Sequence, residues 1–196
     1  AVLARLTAAG VAAPDLSGEL SDAALEEEVF LKTDTHWTPA GAMAAARAIA
    51  RTASLDPVGQ AIPAADFAAE PVKPTAVTGD LVSFLSLGIF QERFGPKPEV
   101  VEPQTLRRID EESIGLFGDI SIPIALVGTS YSADPRWGFE SALKQTLGAD
   151  VLTVASRGLG PFDPMRDYLS SETLSDVPPR LVIWEIPERY VGRSDS

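Results

Sequence analysis

No cysteine occurs anywhere in the chain, which excludes disulfides, thiolate zinc sites and a cysteine nucleophile. A cysteine-free chain survives in either redox environment, so the compartment stays open. Histidine occurs once, and a multi-histidine metal centre is therefore excluded. A carboxylate-rich metal site would need a ligand spacing that the sequence does not show, so no metal and no cofactor is expected. Asparagine is absent, which rules out N-glycosylation. Basic residues are scarce: 16 Lys and Arg stand against 28 Asp and Glu, for a net charge of −12. So acidic a chain lacks the electrostatic footprint of a nucleic-acid binder and is disfavoured at anionic membrane surfaces. No run of about 18 apolar residues is present, so direct membrane insertion is not expected. Neither GxGxxG nor a P-loop supports a nucleotide- or flavin-binding reading. The chain begins at Ala1 rather than at a Met or a basic leader, and it reads as a mature fragment or a trimmed piece of a longer chain.

What is present is a 45% hydrophobic composition over 196 residues. That suffices for one sizeable core, and a single domain over 1–196 is expected. Residues 1–10 read as a short helix ended by Gly10, and 21–29 as another capped by Ser21 or Asp22. Thr38 and Pro39 suit the cap and first position of a helix that begins with AGAMAAARAIARTAS. Residues 56–78 look irregular or edge-like, 81–90 form a short helix capped by Asp80, and the three prolines of 95–105 suggest a surface wrap. The last third alternates: a buried strand at 121–128, a helix at 137–148, a strand at 150–156, a helix at 161–174 and a strand at 180–186. Strand–helix alternation implies parallel pairing with right-handed crossovers, hence an α/β fold, a three-layer sandwich with a mostly parallel sheet. Ligands of such sheets bind beyond the carboxyl ends of the strands, where Ser130, Arg157–Gly160 and Glu185–Tyr190 fall.

Three segments carry the chemistry. Ser130, in Gly128-Thr129-Ser130-Tyr131-Ser132, follows a buried strand, where a nucleophile projects into the crevice or a turn serine caps the next helix. Asp34 and His36 are two residues apart in TDTHW. A carboxylate on one imidazole nitrogen fixes the tautomer that lets the other deprotonate a serine; the alternative is a lone surface or half-buried histidine beside Trp37. Arg157-Gly158-Leu159-Gly160 follows a strand, and its glycines either aim N–H groups at an oxyanion or simply make a turn. Gly79-Asp80-Leu81 looks like the start of a GDSL lipase box, but it lacks the serine and Asp80 reads as a helix cap.

Together KTDTHWTPAGA (32–42), LVGTSYSAD (126–134), GPF (160–162) and WEIPERY (184–190) resemble the alginate O-acetyltransferase AlgX/AlgJ family, whose members are SGNH-hydrolase-like. The resemblance runs from about residue 25 to 191 and is weakest over 56–118. It implies that Ser130 is the acyl nucleophile, His36 the general base and then acid, and Asp34 the residue that orients the imidazole. Ordinary SGNH enzymes place the serine first, so the order here looks like a circular permutation. They also use an asparagine in the oxyanion hole. With none in this chain, the donor must be a backbone N–H at Ser130 or in the Gly158–Gly160 loop, or a side chain such as Tyr131 or Arg157.

The implied reaction is acetyl transfer to a hydroxyl of a bacterial exopolysaccharide through an acetyl-serine. The implied partners are a polysaccharide acceptor and an acetyl donor, such as a membrane acetyl-transfer protein, and the implied compartment is the periplasm. Trp37, Tyr131 and Trp137 are candidates for sugar stacking, or else pack the core. A uronate polymer would be repelled unless Arg136, Arg157, Arg166 and Arg189 make a basic groove; a neutral or amine-bearing polymer is equally compatible. Two alternatives remain: a carbohydrate acetylesterase with the same triad, and a non-catalytic polysaccharide-binding or scaffold subunit of an export complex.

Overall fold

The computed structural model describes residues 2–109 and 122–191. Helices α1 (Val2–Ala8) and α2 (Ser17–Ala23) lead into the long α3 (Pro39–Ser54) and the single turn α4 (Pro57–Gln60). Strands β1 (Phe67–Glu70) and β2 (Thr75–Val77) follow, then α5 (Gln91–Phe94), β3 (Glu99–Val101) and β4 (Thr105–Arg108). The remainder alternates: β5 (Ile124–Gly128), α6 (Ser130–Ala133), α7 (Phe139–Leu147), β6 (Val151–Ala155), α8 (Phe162–Leu169), α9 (Glu172–Asp176) and β7 (Leu181–Trp184).

Strands β6, β5 and β7 form one parallel sheet with β5 in the centre. Every residue of β5 is buried, as a strand covered on both faces requires. Its alternating side chains divide the core. Ile124 and Leu126 face one cluster with Ala42, Ala45 and Ala46 of α3 and Ala142 and Leu143 of α7. Ala125 and Val127 face the other, with Met165 and Tyr168 of α8. The alanines of α3 keep its buried side thin, so the helix lies close against α7. The remaining strands pair antiparallel in two ribbons, β1 with β4 and β2 with β3. "Mostly parallel" therefore holds for the sheet that carries Ser130, not for the described strands taken together.

Several boundaries differ from the sequence reading. The second helix lies at Ser17–Ala23, not 21–29, and Leu16 at its N-terminus makes no side-chain cap. The stretch 161–174 is two helices rather than one, because Ser171 stops the first and caps the second through Leu174 N–H. The segment read as irregular or edge-like, 56–78, and the one read as a surface wrap, 95–105, contain the four ribbon strands or parts of them. They are too short for period-2 patterning to stand out. The expected strand at 121–128 is found from Ile124; Ser121 itself lies outside the described residues.

Candidate active site

The TDTHW segment is pinched into a loop. Leu31 N–H donates to His36 O, Thr38 N–H donates to Val29 O, and Phe30 bridges Trp37. Thr38 then caps α3 by accepting Gly41 N–H at 3.2 Å, with Pro39 at the first helical position. Two carboxylates outside the motif anchor the loop. Glu99 accepts from Lys32 N–H, Thr33 N–H and the Thr33 hydroxyl at 3.0, 2.9 and 2.6 Å. Asp80 accepts from Thr35 N–H at 2.9 Å and from its hydroxyl at 2.6 Å, while Asp80 N–H donates to Asp34 Oδ2 at 3.1 Å. A Cβ at Gly79 would lie 1.8 Å from Thr33 O, so only glycine lets this strand of chain run against the motif.

The other half of the site comes from β5. The chain leaves the buried strand at Gly128, and Thr129 caps the short α6. This puts Ser130 at the first helical position, where a backbone N–H has no partner within its own helix. The two halves meet at the imidazole. His36 Nδ1 is 2.5 Å from Asp34 Oδ1, and His36 Nε2 is 2.7 Å from Ser130 Oγ. Asp34 Oδ1 also accepts His36 N–H at 3.0 Å. Asp34 is buried, at 8% exposure. Burial alone would raise its pKa. The hydrogen bonds from the His36 ring, His36 N–H and Asp80 N–H, with the imidazole charge, reverse that and hold it below the ordinary carboxylate value. An ionised carboxylate only accepts, so Nδ1 carries a proton; in the neutral imidazole Nε2 is then left to accept from the Ser130 hydroxyl. Trp137 stacks on the imidazole at 5.0 Å and 17°, and Tyr131 packs on it at 4.6 Å, which fixes the ring plane.

The remaining predicted site residues divide. Trp37 and Trp137 are 6% and 1% exposed. Burial corrects the sugar-stacking expectation for both: Trp37 packs edge-on to Tyr131 and against Phe139, behind the loop. The Tyr131 hydroxyl donates to Thr35 O, so its proton is spent on tying the two halves together and is unavailable to an oxyanion. Burial pushes the Tyr131 pKa up, against the pull of Arg189. Arg157 is paired with Asp134 at 3.0 Å. Gly158 and Gly160 have φ of +80° and +67°, and the Tyr190 ring comes within 3.3 Å of where a Gly160 Cβ would stand. Ser156 N–H donates to Gly128 O at 3.1 Å, so this glycine turn leaves the sheet beside the serine turn.

The four arginines do not form one groove. Arg136 and Arg157 converge on Asp134, Arg166 pairs with Asp163, and Arg189 lies over Tyr131 and Tyr190. Asp134 is 4% exposed and accepts from Arg136 N–H at 3.0 Å as well as from the guanidinium at 2.6 Å. Burial would raise its pKa; Arg136, and more weakly Arg157, draw it below the ordinary value. A lowered folded-state pKa means that its stabilisation is complete above the unfolded value, about 3.9, and is lost as pH falls further. Asp134→Asn should therefore cost about 1–2 kcal/mol at pH 7, an amount limited by the exposure of its partners. In urea unfolding the difference between variant and parent should shrink as pH falls from the unfolded value through the lower folded one.

Sequence reasoning gave no role to Glu99, read Asp80 only as a helix cap, and placed Glu185 at a strand end without a role. Glu185 lies one residue past β7 and accepts from Thr129 N–H and the Thr129 hydroxyl, both at 2.8 Å. Burial pushes its carboxyl above the ordinary glutamate value, and the bonds from Thr129 and Ser132 offset only part of that. For Asp80 a signal existed in Gly-Asp-Leu, whose carboxylate was read as a cap. Asp80 instead sits inside the 3₁₀ turn Asp80–Leu85 and points its carboxylate at Thr35. Among the described residues, Asp34, His36 and Asp80 bring possible metal-ligand atoms within 4.8 Å of one another. Both oxygens of each carboxylate are already engaged by N–H or O–H donors. A separate open cleft of about 370 Å³, lined by Pro39, Met43, Arg47, Glu102 and Gly138 among others, contains none of Asp34, His36 and Ser130. Among the described residues no helix is long and apolar enough to cross a membrane.

Residues 1–188 match the family model of the SGNH hydrolase-like domain of acetyltransferase AlgX. The chain is 43% identical over 187 residues to a probable alginate O-acetylase AlgJ of Azotobacter vinelandii, covering 93% of this chain and 48% of that one. It superposes on the O-acetyltransferase domain of Pseudomonas putida AlgJ with a TM-score of 0.84 and 39% identity, covering 98% of this chain and 65% of that one. Against Pseudomonas aeruginosa AlgX the TM-score is 0.75 and the identity 30%, with 94% of this chain and 43% of that one covered. The chain thus spans about half the length of the curated AlgJ relatives it matches.

Proposed function

The chain belongs to the family of SGNH hydrolase-like domains of acetyltransferase AlgX, and we propose that it moves an acetyl group to a hydroxyl of an exopolysaccharide. The observation that carries the proposal is the row of three groups from different parts of the chain: Ser130 Oγ, His36 and Asp34, joined by contacts of 2.7 and 2.5 Å.

In the first half-reaction Ser130 Oγ attacks the carbonyl carbon of an acetyl donor while His36 Nε2 takes the hydroxyl proton. Asp34 stabilises the imidazolium, whose two N–H groups then face Asp34 and the leaving group. Collapse of the tetrahedral intermediate breaks the bond to the leaving group, which takes the proton from Nε2, and leaves acetyl-Ser130. In the second half-reaction a sugar hydroxyl gives its proton to Nε2 and attacks the acetyl carbon. Ser130 Oγ departs, reprotonated by the same nitrogen. Double displacement divides one difficult transfer into two easier ones. The oxyanion is stabilised by backbone N–H groups. Ser130 N–H, for which no protein acceptor is found among the described residues, suits that task, and the Gly158–Gly160 turn beside it offers more. The fold is read as a circular permutation, with the Asp–His pair ahead of the serine, and the compartment as the periplasm.

Alginate is the polymer named for the relatives. For this chain we propose a hydroxyl-bearing exopolysaccharide, with the acetyl group supplied by a partner protein or a small activated ester. Incubation with a chromogenic acetyl ester and a panel of oligosaccharides, read by mass spectrometry, should yield acetylated sugar. Ester turnover with no acetylated product from neutral, uronate or amino-sugar acceptors would replace transfer by hydrolysis, since acceptor positioning decides between them.

A further inference from the structure

We propose that Glu185 is a positioning residue for the nucleophile, its carboxyl group clamping the Thr129 turn so that Ser130 Oγ stays in line with His36 Nε2. The inference rests on the acyl-transfer reading of Ser130 and goes beyond it, to a carboxyl group outside the triad.

The clamp is built from the strand end. Glu185 N–H donates to Val127 O at 2.8 Å, which extends the β5–β7 pairing one residue and brings the side chain across Gly128. Oε2 accepts from Thr129 N–H at 2.8 Å, from the Thr129 hydroxyl at 2.8 Å and from the Ser132 hydroxyl at 3.2 Å. The Thr129 hydroxyl lies 3.1 Å from Oε1 as well, and its oxygen accepts Tyr131 N–H at 3.4 Å. The residues on both sides of Ser130 are therefore tied to one carboxyl group: Thr129 directly, Tyr131 through Thr129. Ser130 itself makes no bond to it, so its hydroxyl stays free for His36 and its N–H free for substrate.

Gly128 completes the argument. A Cβ there would lie 2.7 Å from Glu185 Oε2 and 2.8 Å from Ser132 Oγ. The glycine before the nucleophile thus leaves room for the carboxyl group, and the threonine supplies two of the donors that hold it. A carboxyl group placed only to satisfy a strand end would need neither feature. Tethering of this kind acts on the rate: a nucleophile displaced by about 1 Å from its attack position loses on the order of 10²-fold.

The test is steady-state hydrolysis of a chromogenic acetyl ester, together with the rate of Ser130 labelling by a fluorophosphonate and a thermal unfolding midpoint. Glu185→Leu should lower kcat and the labelling rate by about 100-fold with KM within about twofold. Glu185→Gln, whose amide oxygen still accepts from Thr129, should recover to within about tenfold of the parent. Thr129→Val should also lower kcat at constant KM, and the Glu185→Leu/Thr129→Val double variant should be no slower than the worse single, because both remove the same tether. A folded Glu185→Leu protein with the parent's kcat overturns the clamp, as do effects that simply multiply in the double variant. If Glu185→Leu does not fold, Thr129→Val at the parent's kcat overturns it instead. Silence of Ser130→Ala would remove the acyl-transfer reading itself; a dead Ser130→Ala beside silent Glu185→Leu and Thr129→Val would remove only the clamp.

Discussion

Replacing Ser130 by alanine should cut kcat for an acetyl ester by about 10⁵–10⁶-fold, because the groups of such a row act as a unit and loss of the nucleophile forfeits nearly all of their effect. KM should move little, since the hydroxyl contributes to bond making rather than to binding. A residual acceleration of about 10³-fold over water is expected from the backbone N–H donors that remain. The fold should be untouched: among the described residues the Ser130 side chain bonds to His36 alone, and the turn around it is held by Thr129 and Glu185. The same variant should accumulate no acetyl-enzyme in intact-protein mass spectrometry, whereas the parent given donor without acceptor should. An unchanged rate in Ser130→Ala would move the nucleophile elsewhere and leave an α/β domain whose histidine serves another purpose.

How far the sequence reaches depends on the range of the interaction that shapes each element. Strand β5 was legible because burial on both faces demands an unbroken apolar run, and IALVG has no polar residue to confuse the reading; β6 and β7 are only partly buried, and they were legible from the β-branched and aromatic residues of VLTVA and LVIW. The start of α3 was legible because a cap and a first-position proline are local chemistry, written in Thr38 and Pro39. Asp34, His36 and Ser130 were found as candidate residues because their types are rare or their strand-end placement is telling, and the structure brings all three together. Asp80 was misread as a cap, since nothing local says that its carboxylate will meet Thr35 45 residues away. Glu99 and Glu185 lay deeper still: each is an acid in a short strand or just beyond one, and its partners are set by tertiary packing. The aromatic residues were left between sugar stacking and core packing for a related reason. Trp137 carries no sequence mark that separates a sugar platform from a ring stacked behind the histidine, and only its burial and its 5.0 Å stacking distance decide.

Asp34→Asn tests the part of the site that is electrostatic rather than nucleophilic. The carboxylate oxygen 2.5 Å from Nδ1 holds the imidazole in the tautomer whose Nε2 accepts from Ser130. An amide can present its NH₂ to that nitrogen instead. The proton would then move to Nε2, which could no longer take one from Ser130. Loss of the negative charge also removes the stabilisation of the imidazolium that forms during attack. The expected result is a fall in kcat of about 10⁴-fold with KM nearly constant. The distinguishing feature is the pH response. At high pH hydroxide can take over part of the base's work, so the variant should regain rate as pH rises, whereas Ser130→Ala should not. Stability provides an independent reading of the same group. The folded Asp34 carboxyl titrates below its ordinary value because the His36 ring, His36 N–H and Asp80 N–H outweigh its burial. Its contribution to stability is therefore fully present above the unfolded pKa of about 3.9 and is lost as pH falls through the lower folded pKa. The Asn variant should accordingly unfold more easily than the parent at pH 7, by a margin that narrows as pH falls from the unfolded value through the lower folded one. An Asn variant with the parent's kcat would mean that the imidazole finds its tautomer without Asp34, and the 2.5 Å contact would then be a structural bond of the TDTHW loop rather than part of the reaction.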